Sequence, residues 1–231
     1  NYESQKDINS LNIHVLLVED NQANQFVATK FLEKWGVKVS LAQNGNEAID
    51  LIKSKAFDLV LMDLQMPQKD GLTASKEIRQ MEEEYFQKVP ILALTASSDA
   101  GTMNRIREFG MNDIVVKPFI PSELHKKIIA SIKGSASPVE PVASEKVSRQ
   151  VNVSLDSIKA SLKSYSVSDE RFTNSLLGSF ILNLEEFVQQ FPGYIKNKDE
   201  SSANFILHKM RTTFRMCGQN DLTERIEQCI Q

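Results

Sequence analysis

The chain has 231 residues, of which 41% are apolar and 25% are charged, and its formal net charge is −3 at pH 7. This composition excludes a collagen-like or low-complexity chain. It also lacks the basic excess expected of a protein that binds nucleic acid or an anionic membrane. No apolar run is long enough to span a bilayer, and the first residues, NYESQKDINS, lack the apolar stretch of a signal peptide. The two cysteines are too few for a disulfide framework, which predicts a cytoplasmic location. The length of the chain favours two domains.

The first domain is predicted over residues 11–133, where short apolar runs alternate with segments of helical period. The apolar runs have the length of strands and lie at residues 13–18, 37–41, 57–62, 89–94 and 114–116. The helical segments between them lie at residues 21–35, 45–54, 72–85, 99–109 and 121–132. Five successive β–α units predict an α/β fold with a parallel sheet and helices on both faces. Runs such as VLLV and ILAL fit strands that are covered on both sides.

The rest of the chain has a different character. Residues 134–150 are rich in Ser, Pro and Val and have no period, so they are predicted to form a linker. Helical patterns follow at residues 154–162, 169–196, 199–217 and 220–230. The second domain, residues 151–231, is therefore predicted to be all-α. Because the sequence stops inside a helical pattern, we expect a truncated bundle that lacks one helix.

Polar residues directly follow four of the five predicted strands. They are Glu19 and Asp20 after the first, Asp63 after the third, Thr95 after the fourth and Lys117 after the fifth. In an open α/β sheet, ligands bind at the carboxyl ends of the strands, where the strand order reverses. With the strand order 2-1-3-4-5, the first and third strands are neighbours. We therefore expect Asp20 and Asp63 to converge on one pocket.

The chemistry of this set favours a phosphoryl group. Clustered carboxylates repel one another unless a cation is present, and Mg²⁺ prefers such oxygen ligands. Lys117 adds a positive charge and Thr95 a hydroxyl donor, which together suit phosphoryl binding. Asp63 is the best candidate nucleophile, because a carboxylate can form an acyl phosphate. A structural role as a helix cap or turn would explain any one of these residues, but five such placements are harder to explain in that way.

The segments VLLVEDN, LVLMDLQMP, ALTA and VVKPF resemble the receiver domain of two-component response regulators. The resemblance covers residues 11–133 and implies a flavodoxin-like, doubly wound, five-stranded parallel sheet. It implies that Asp63 is the phosphoacceptor. It also implies that Mg²⁺ is bound by Asp20, Asp63 and the backbone carbonyl of Gln65, with Glu19 binding through water.

The same resemblance implies that Thr95 and Lys117 contact the phosphoryl oxygens and that the Lys117–Pro118 bond is cis. Receivers often carry an aromatic switch residue three positions before the lysine, where this chain has Ile114. We therefore expect coupled switching between Thr95 and that position to be weak or different. Phosphorylation itself should not depend on it.

One histidine of the helical domain is a second candidate. An apolar stripe runs along the predicted helix 199–217 and consists of Leu207, Met210, Phe214 and Cys217. His208 lies about 100° off this stripe. Its predicted solvent-facing strip contains Asn204, Arg211, Thr212 and Arg215. Neutral imidazole is a nucleophile that neighbouring guanidinium groups would assist. An ordinary surface histidine remains the alternative, and we interpret His14 and His125 as structural.

The segment LHKMRTTFRMCGQNDLTERIE resembles a histidine phosphotransfer (HPt) domain. His208, a basic Arg211 three residues later and Gly218 match that family in kind, whereas Thr212 replaces its small glycine. A receiver followed by an HPt-like domain resembles the C-terminal part of a hybrid sensor histidine kinase. The chain would then be the cytosolic tail of a membrane-bound kinase, without membrane contact of its own.

These resemblances imply a phosphorelay in which Asp63 accepts a phosphoryl group from a kinase phosphohistidine and His208 relays it, or the reverse. The implied partners are a sensor kinase core, in the same or a separate chain, and another receiver or HPt domain. No Gly-rich ATP loop is present, so enzymatic activity is left open. The main alternative is a receiver whose helical tail only docks proteins. Gln65 argues against an aspartyl-phosphate hydrolase, and the charge argues against a DNA-binding regulator.

Overall fold

The computed structural model describes residues 11–96, 99–134, 170–217 and 219–230. The chain divides into two compact units, residues 1–141 and 142–231. Apart from Gly134, the predicted linker lies outside the described residues, and so does the predicted helix 154–162. Those two assignments therefore stay predictions. None of the described helices combines the length and apolar character needed to cross a membrane.

The first unit contains a five-stranded parallel sheet in the order β2-β1-β3-β4-β5, as predicted. The strands are β1 His14–Val18, β2 Lys38–Ala42, β3 Leu59–Asp63, β4 Ile91–Thr95 and β5 Asp113–Val116. Every residue of β3 and β4 is buried, which explains their apolar runs. Val18 of β1 lies opposite Met62 of β3, so the residues that follow the two strands emerge side by side.

Six helices connect or follow these strands among the described residues. They are α1 Gln22–Lys34, α2 Gly45–Ser54, α3 Gly71–Arg79, α4 Glu84–Lys88, α5 Ala100–Glu108 and α6 Pro121–Ile132. Four of them begin at a side chain that accepts a backbone N–H of the first turn, and these caps are Asn21, Asn44, Asp70 and Asp99. Each of these caps ends a loop that leaves the carboxyl edge of the sheet. The caps therefore fix where the helices begin around that edge.

The predicted helix 72–85 is wrong, because the structure has two helices there, α3 and α4. The backbone leaves the helix after Arg79 and is extended at Glu83. The Arg79 guanidinium holds the neighbouring segments in place, since it donates to the backbone oxygens of Phe86, Val89 and Gly110 at 2.7–2.8 Å. Burial lowers the pKa of Arg79, although the group stays cationic in the physiological range.

The described part of the second unit is all-α, as predicted. Its helices are α7 Glu170–Lys196, α8 Glu200–Met216 and α9 Asn220–Ile230. Helix α8 contacts both α7 and α9. The core of this unit joins α7 and α8 and consists of Phe187, Ile206, Leu207, Met210 and Phe214. The predicted stripe on α8 is thus confirmed as a buried face.

Candidate functional site

Three acidic side chains meet at the carboxyl edge of the sheet. Glu19, Asp20 and Asp63 each offer a carboxylate oxygen, and these oxygens lie within 4.8 Å of one another. Glu19 and Asp63 are each only 1% exposed, whereas Asp20 is half-buried. The convergence of Asp20 and Asp63 follows from the pairing of β1 with β3, and the prediction is confirmed. Three carboxylate oxygens are a donor set that suits a hard divalent cation such as Mg²⁺.

Lys117 bridges two of these carboxylates from the end of β5. Its Nζ donates to Glu19 Oε2 at 2.8 Å and to Asp63 Oδ2 at 2.7 Å, and the residue is 2% exposed. The Lys117–Pro118 bond is cis, as predicted. The Lys117 backbone N–H donates to the carbonyl oxygen of Thr95 at 2.7 Å, so β4 and β5 stay joined at the site.

Burial dominates the electrostatics of the cluster. It raises the pKa of Glu19 to about 7, with Asp63 acting in the same direction and Lys117 opposing both. Burial also raises the pKa of Asp63, and the Asp20 carboxylate adds to this against the opposing effect of Lys117. For Lys117, burial alone would lower the pKa, but the two carboxylates outweigh it and the pKa is raised. One ammonium therefore serves two buried carboxylates, and a further cation would be stabilising there.

The first turn of α1 fixes Glu19. Asn24 Nδ2 donates to Glu19 Oε1 at 3.0 Å, and the backbone N–H of Asn21 donates to the same oxygen at 3.3 Å. The Gln25 side chain donates to the Glu19 carbonyl oxygen. Asn24 and Gln25 are both buried, and the sequence analysis missed them. The available signal was two amide side chains placed in the first turn of a predicted helix directly after the acids.

The loop after β3 shapes the surroundings of Asp63. Asp63 Oδ1 accepts the backbone N–H of Gln65 at 3.2 Å, which places Gln65 beside the carboxylate. The Gln65 side chain itself is exposed. Gly71 is required where α3 meets this strand, because a Cβ there would lie 2.0 Å from the Asp63 carbonyl oxygen. Thr95 follows Leu94, the β4 partner of Asp63, and is 9% exposed.

The same loop is fastened to α2. The backbone N–H of Gly45 donates to the carbonyl oxygen of Lys69 at 3.0 Å. A Cβ at Gly45 would lie 2.8 Å from both Ala74 Cβ and Lys69 Cγ. The Lys69 ammonium in turn pairs with Glu77 of α3 at 2.5 Å. The N-terminus of α2 is therefore in close contact with the segment that follows Asp63.

His208 lies in the second unit, on α8, and is half-buried. Arg211 and Arg215 are also half-buried and Asn204 is exposed, but Thr212 is only 6% exposed. The prediction that Thr212 faces solvent is therefore wrong. The reason is that α8 contacts a helix on each of two sides, so more of its surface is covered than the apolar stripe indicates. Gly218 lies outside the described residues.

The two remaining histidines make packing contacts in the first unit. The ring of His14 lies 4.6 Å from the ring of Phe57, and its Nε2 is 2.9 Å from Ser40 Oγ. The ring of His125 packs edge-on against Trp35 at 4.8 Å. Burial lowers the pKa of both imidazoles. These contacts agree with the structural role expected for both residues.

Comparison with known proteins assigns the first unit. Residues 15–129 match the model of the response regulator receiver domain, and a crystal structure assigned as a response regulator from Chloroflexus aurantiacus is 30% identical, with a TM-score of 0.50. The chain belongs to the receiver domain family. The match to the Chloroflexus aurantiacus structure covers 52% of this chain and 98% of that one. This family acts in two-component signalling, and the receiver domain of the chain is therefore a two-component signalling domain.

Two further relatives carry receivers in sensor kinases. Hybrid signal transduction histidine kinase K of Dictyostelium discoideum is 40% identical over 52% of this chain and 10% of its own length. The receiver domain of a Pseudomonas aeruginosa sensor histidine kinase, crystallised with a magnesium ion in its active site cleft, is 37% identical. That match covers 52% of this chain and 98% of the other, with a TM-score of 0.49. The chain thus spans about a tenth of the length of its Dictyostelium relative.

Proposed function

We propose that the receiver domain accepts a phosphoryl group on Asp63 from the phosphohistidine of a sensor histidine kinase. The observation that carries the proposal is the buried Asp63 carboxylate, which belongs to the acidic cluster and accepts a hydrogen bond from the Lys117 ammonium. Because this carboxylate is removed from water, its charge is stabilised by neighbouring groups in fixed positions. Phosphoryl transfer depends on charge stabilisation of this kind. The resemblance to receivers of hybrid kinases supports the same assignment.

A Mg²⁺ ion fits the acidic cluster. The residues proposed to hold it are Asp20, Asp63, the backbone carbonyl of Gln65 and, through water, Glu19. When bound, the ion would neutralise the negative charge of the transferring phosphoryl group. The proposed role of Glu19 through water agrees with its geometry, because both of its carboxylate oxygens already accept hydrogen bonds from protein groups.

The proposed transfer balances without an added reactant. An oxygen of the Asp63 carboxylate attacks phosphorus, the O–P bond forms and the N–P bond of the kinase phosphohistidine breaks. The electron pair of that bond returns to the imidazole nitrogen. Lys117 and the Thr95 hydroxyl would donate to the phosphoryl oxygens, and Lys117 would do so in place of part of its present bonding to Glu19 and Asp63.

We further propose that His208 exchanges the phosphoryl group with an aspartyl phosphate, either that of Asp63 or that of another receiver. A neutral imidazole attacks through the lone pair of its unprotonated nitrogen, the N–P bond forms, and the O–P electrons return to the carboxylate. The support is a half-buried histidine on a helix with a basic side chain one turn away. The whole would be a cytoplasmic phosphorelay module of a longer hybrid kinase, with a kinase core and a further receiver or HPt domain as partners.

A docking role for the helical unit is the second candidate. It is favoured by large apolar side chains exposed on α7, since Ile181 is 54%, Leu182 62% and Val188 66% exposed. Exposed apolar residues of this kind are common at sites of protein association. Under this alternative, the receiver would be phosphorylated and His208 would not.

A labelling time course separates the two candidates. We would incubate the chain with radiolabelled acetyl phosphate and Mg²⁺ and follow alkali-labile label, the mark of acyl phosphate, and alkali-stable label, the mark of phosphohistidine. Asp63→Asn should abolish all label, whereas the matched control Asp50→Asn, at an exposed acid of α2, should label like wild type. His208→Gln should remove only the alkali-stable fraction. Label that persists in Asp63→Asn would refute the phosphoacceptor. An alkali-stable fraction that is absent from wild type, or unchanged in His208→Gln, would leave docking as the role of the helices.

A further inference from the structure

The basic residue nearest to His208 along its helix face is already paired with an acid. Arg211 lies three residues after His208 on α8, which makes the two side chains neighbours on the helix surface. An Nη of Arg211 donates to Glu227 Oε1 of α9. The two side chains are 35% and 36% exposed, so the pair is partly withdrawn from water. Glu227 thus places a carboxylate beside the cation that would assist a phosphoryl group.

The pairing leaves the guanidinium incompletely satisfied. Arg211 Nε is buried and has no hydrogen-bond partner, and Thr223 Oγ1, one turn before Glu227 on α9, is buried and has none either. Thr223 is only 8% exposed. A buried donor without an acceptor carries a free-energy penalty. A stronger hydrogen-bond acceptor could therefore replace Glu227 as the partner of Arg211.

A phosphoryl group on His208 would be that acceptor. Phosphoryl groups carry close to two negative charges near neutral pH, and a guanidinium binds their oxygens in a forked geometry. A carboxylate that holds the same guanidinium competes with the phosphoryl group for it. Glu227 would then make the phosphohistidine less stable and return the phosphoryl group more readily.

We propose that Glu227 tunes the relay by competing with the phosphoryl group on His208 for Arg211. The inference rests on the proposed phosphorylation of His208. Glu227 acts as a positioning residue, since it reaches the reaction through Arg211. Because the pair is partly exposed, removing the carboxylate should shift the transfer equilibrium about two- to fivefold toward phospho-His208.

The test compares Glu227→Gln with Glu224→Gln, a control at an exposed glutamate of the same helix. The intact chain is labelled with acetyl phosphate and Mg²⁺, and the ratio of alkali-stable to alkali-labile label is measured at equilibrium. Glu227→Gln should raise this ratio two- to fivefold, and Glu224→Gln should not change it. The increase should shrink in high salt, because the effect is electrostatic, whereas a change caused by altered packing would not.

The Arg211→Gln background completes the design. Adding Glu227→Gln there should leave the ratio unchanged, because the group for which the carboxylate competes is gone. The proposal is overturned if Glu227→Gln labels like wild type, or if it raises the ratio equally in the Arg211→Gln background. If wild type and all variants carry label on Asp63 but none on His208, the proposed relay itself fails and the tuning role falls with it.

Discussion

Replacing Lys117 with Met removes the ammonium that bridges Glu19 and Asp63 while keeping the length of the side chain. The two ion pairs have N–O distances of 2.8 and 2.7 Å. At an effective dielectric constant of about 20, each pair represents about 6 kcal/mol of Coulomb attraction, most of which offsets the loss of hydration. Breaking such a buried pair by removing one partner costs about 3–5 kcal/mol, a large share of the stability of a single domain.

The loss should depend on pH in a definite direction. Burial raises the pKa of Glu19 to about 7, and of Asp63 also above its usual value, so the folded state holds protons that the unfolded state has released. A raised carboxyl pKa means that stability is lost as pH rises from the unfolded pKa, about 4, through the folded one. Without Lys117 the pKa of both groups rises further. The Lys117→Met penalty should therefore be largest at pH 8 and clearly smaller at pH 5.5.

Urea unfolding in EDTA measures this effect, because the single tryptophan, Trp35, lies buried in the receiver and reports its unfolding by fluorescence. Lys30→Met is the matched control, since it breaks the exposed pair with Glu33 and should cost less than about 1 kcal/mol. Added Mg²⁺ should recover part of the Lys117→Met loss. A penalty equal at both pH values, or no larger than that of Lys30→Met, would refute the reasoning.

Three further predictions concern the receiver fold. Gly71→Ala should destabilise the receiver by about 1–3 kcal/mol in urea titrations, because the new Cβ would lie 2.0 Å from a backbone oxygen. The contrasting change Gly178→Ala lies on α7 of the second unit, where nothing is within 4 Å of the new Cβ, and it should be neutral or stabilising by circular dichroism. Arg79→Met should cost about 2–4 kcal/mol through the loss of its hydrogen bonds to backbone carbonyl groups, and exposed Arg107→Met should stay within about 0.5 kcal/mol. Equal losses would contradict a stabilising role for the Arg79 hydrogen bonds. Burial lowers the pKa of His125, so the unfolded chain takes up a proton first and stability falls as pH drops below about 6.5. His125→Gln should therefore lose less Tm between pH 7.5 and 5.5 than wild type, and an equal loss would show that another group is responsible.

Apolar patterning predicted the strands, and the resemblance to receiver domains predicted their order. The pattern indicated which residues are buried better than it indicated their backbone conformation. Phe57 belongs to the predicted third strand and is buried, yet β3 begins at Leu59. Its backbone N–H donates to the Tyr85 hydroxyl at 2.7 Å instead of entering the sheet. The helical period likewise continues through Met81 and Tyr85, which both pack against the core, although α3 has ended at Arg79 and Tyr85 belongs to the separate helix α4. Periodicity alone does not record that break.

The acidic cluster was predictable because parallel strands bring their carboxyl ends to one edge whatever the side chains do. Its internal contacts were not, because they depend on side-chain directions. Lys117 bonds to Glu19 across 98 positions of sequence, and no local pattern encodes that pairing. The burial of Thr212 was missed for a related reason, since neighbouring helices decide which faces of α8 are covered.

The bond between Gly45 and the Lys69 carbonyl has a mechanical consequence. It joins the first turn of α2 to the loop that follows Asp63. The two segments are in close contact, because there is no room for a side chain at position 45. A chemical event at the end of β3 that displaced this loop would therefore also displace the first turn of α2, a helix of 10 residues. A change at the acidic cluster could in this way alter the surface that α2 forms on the receiver.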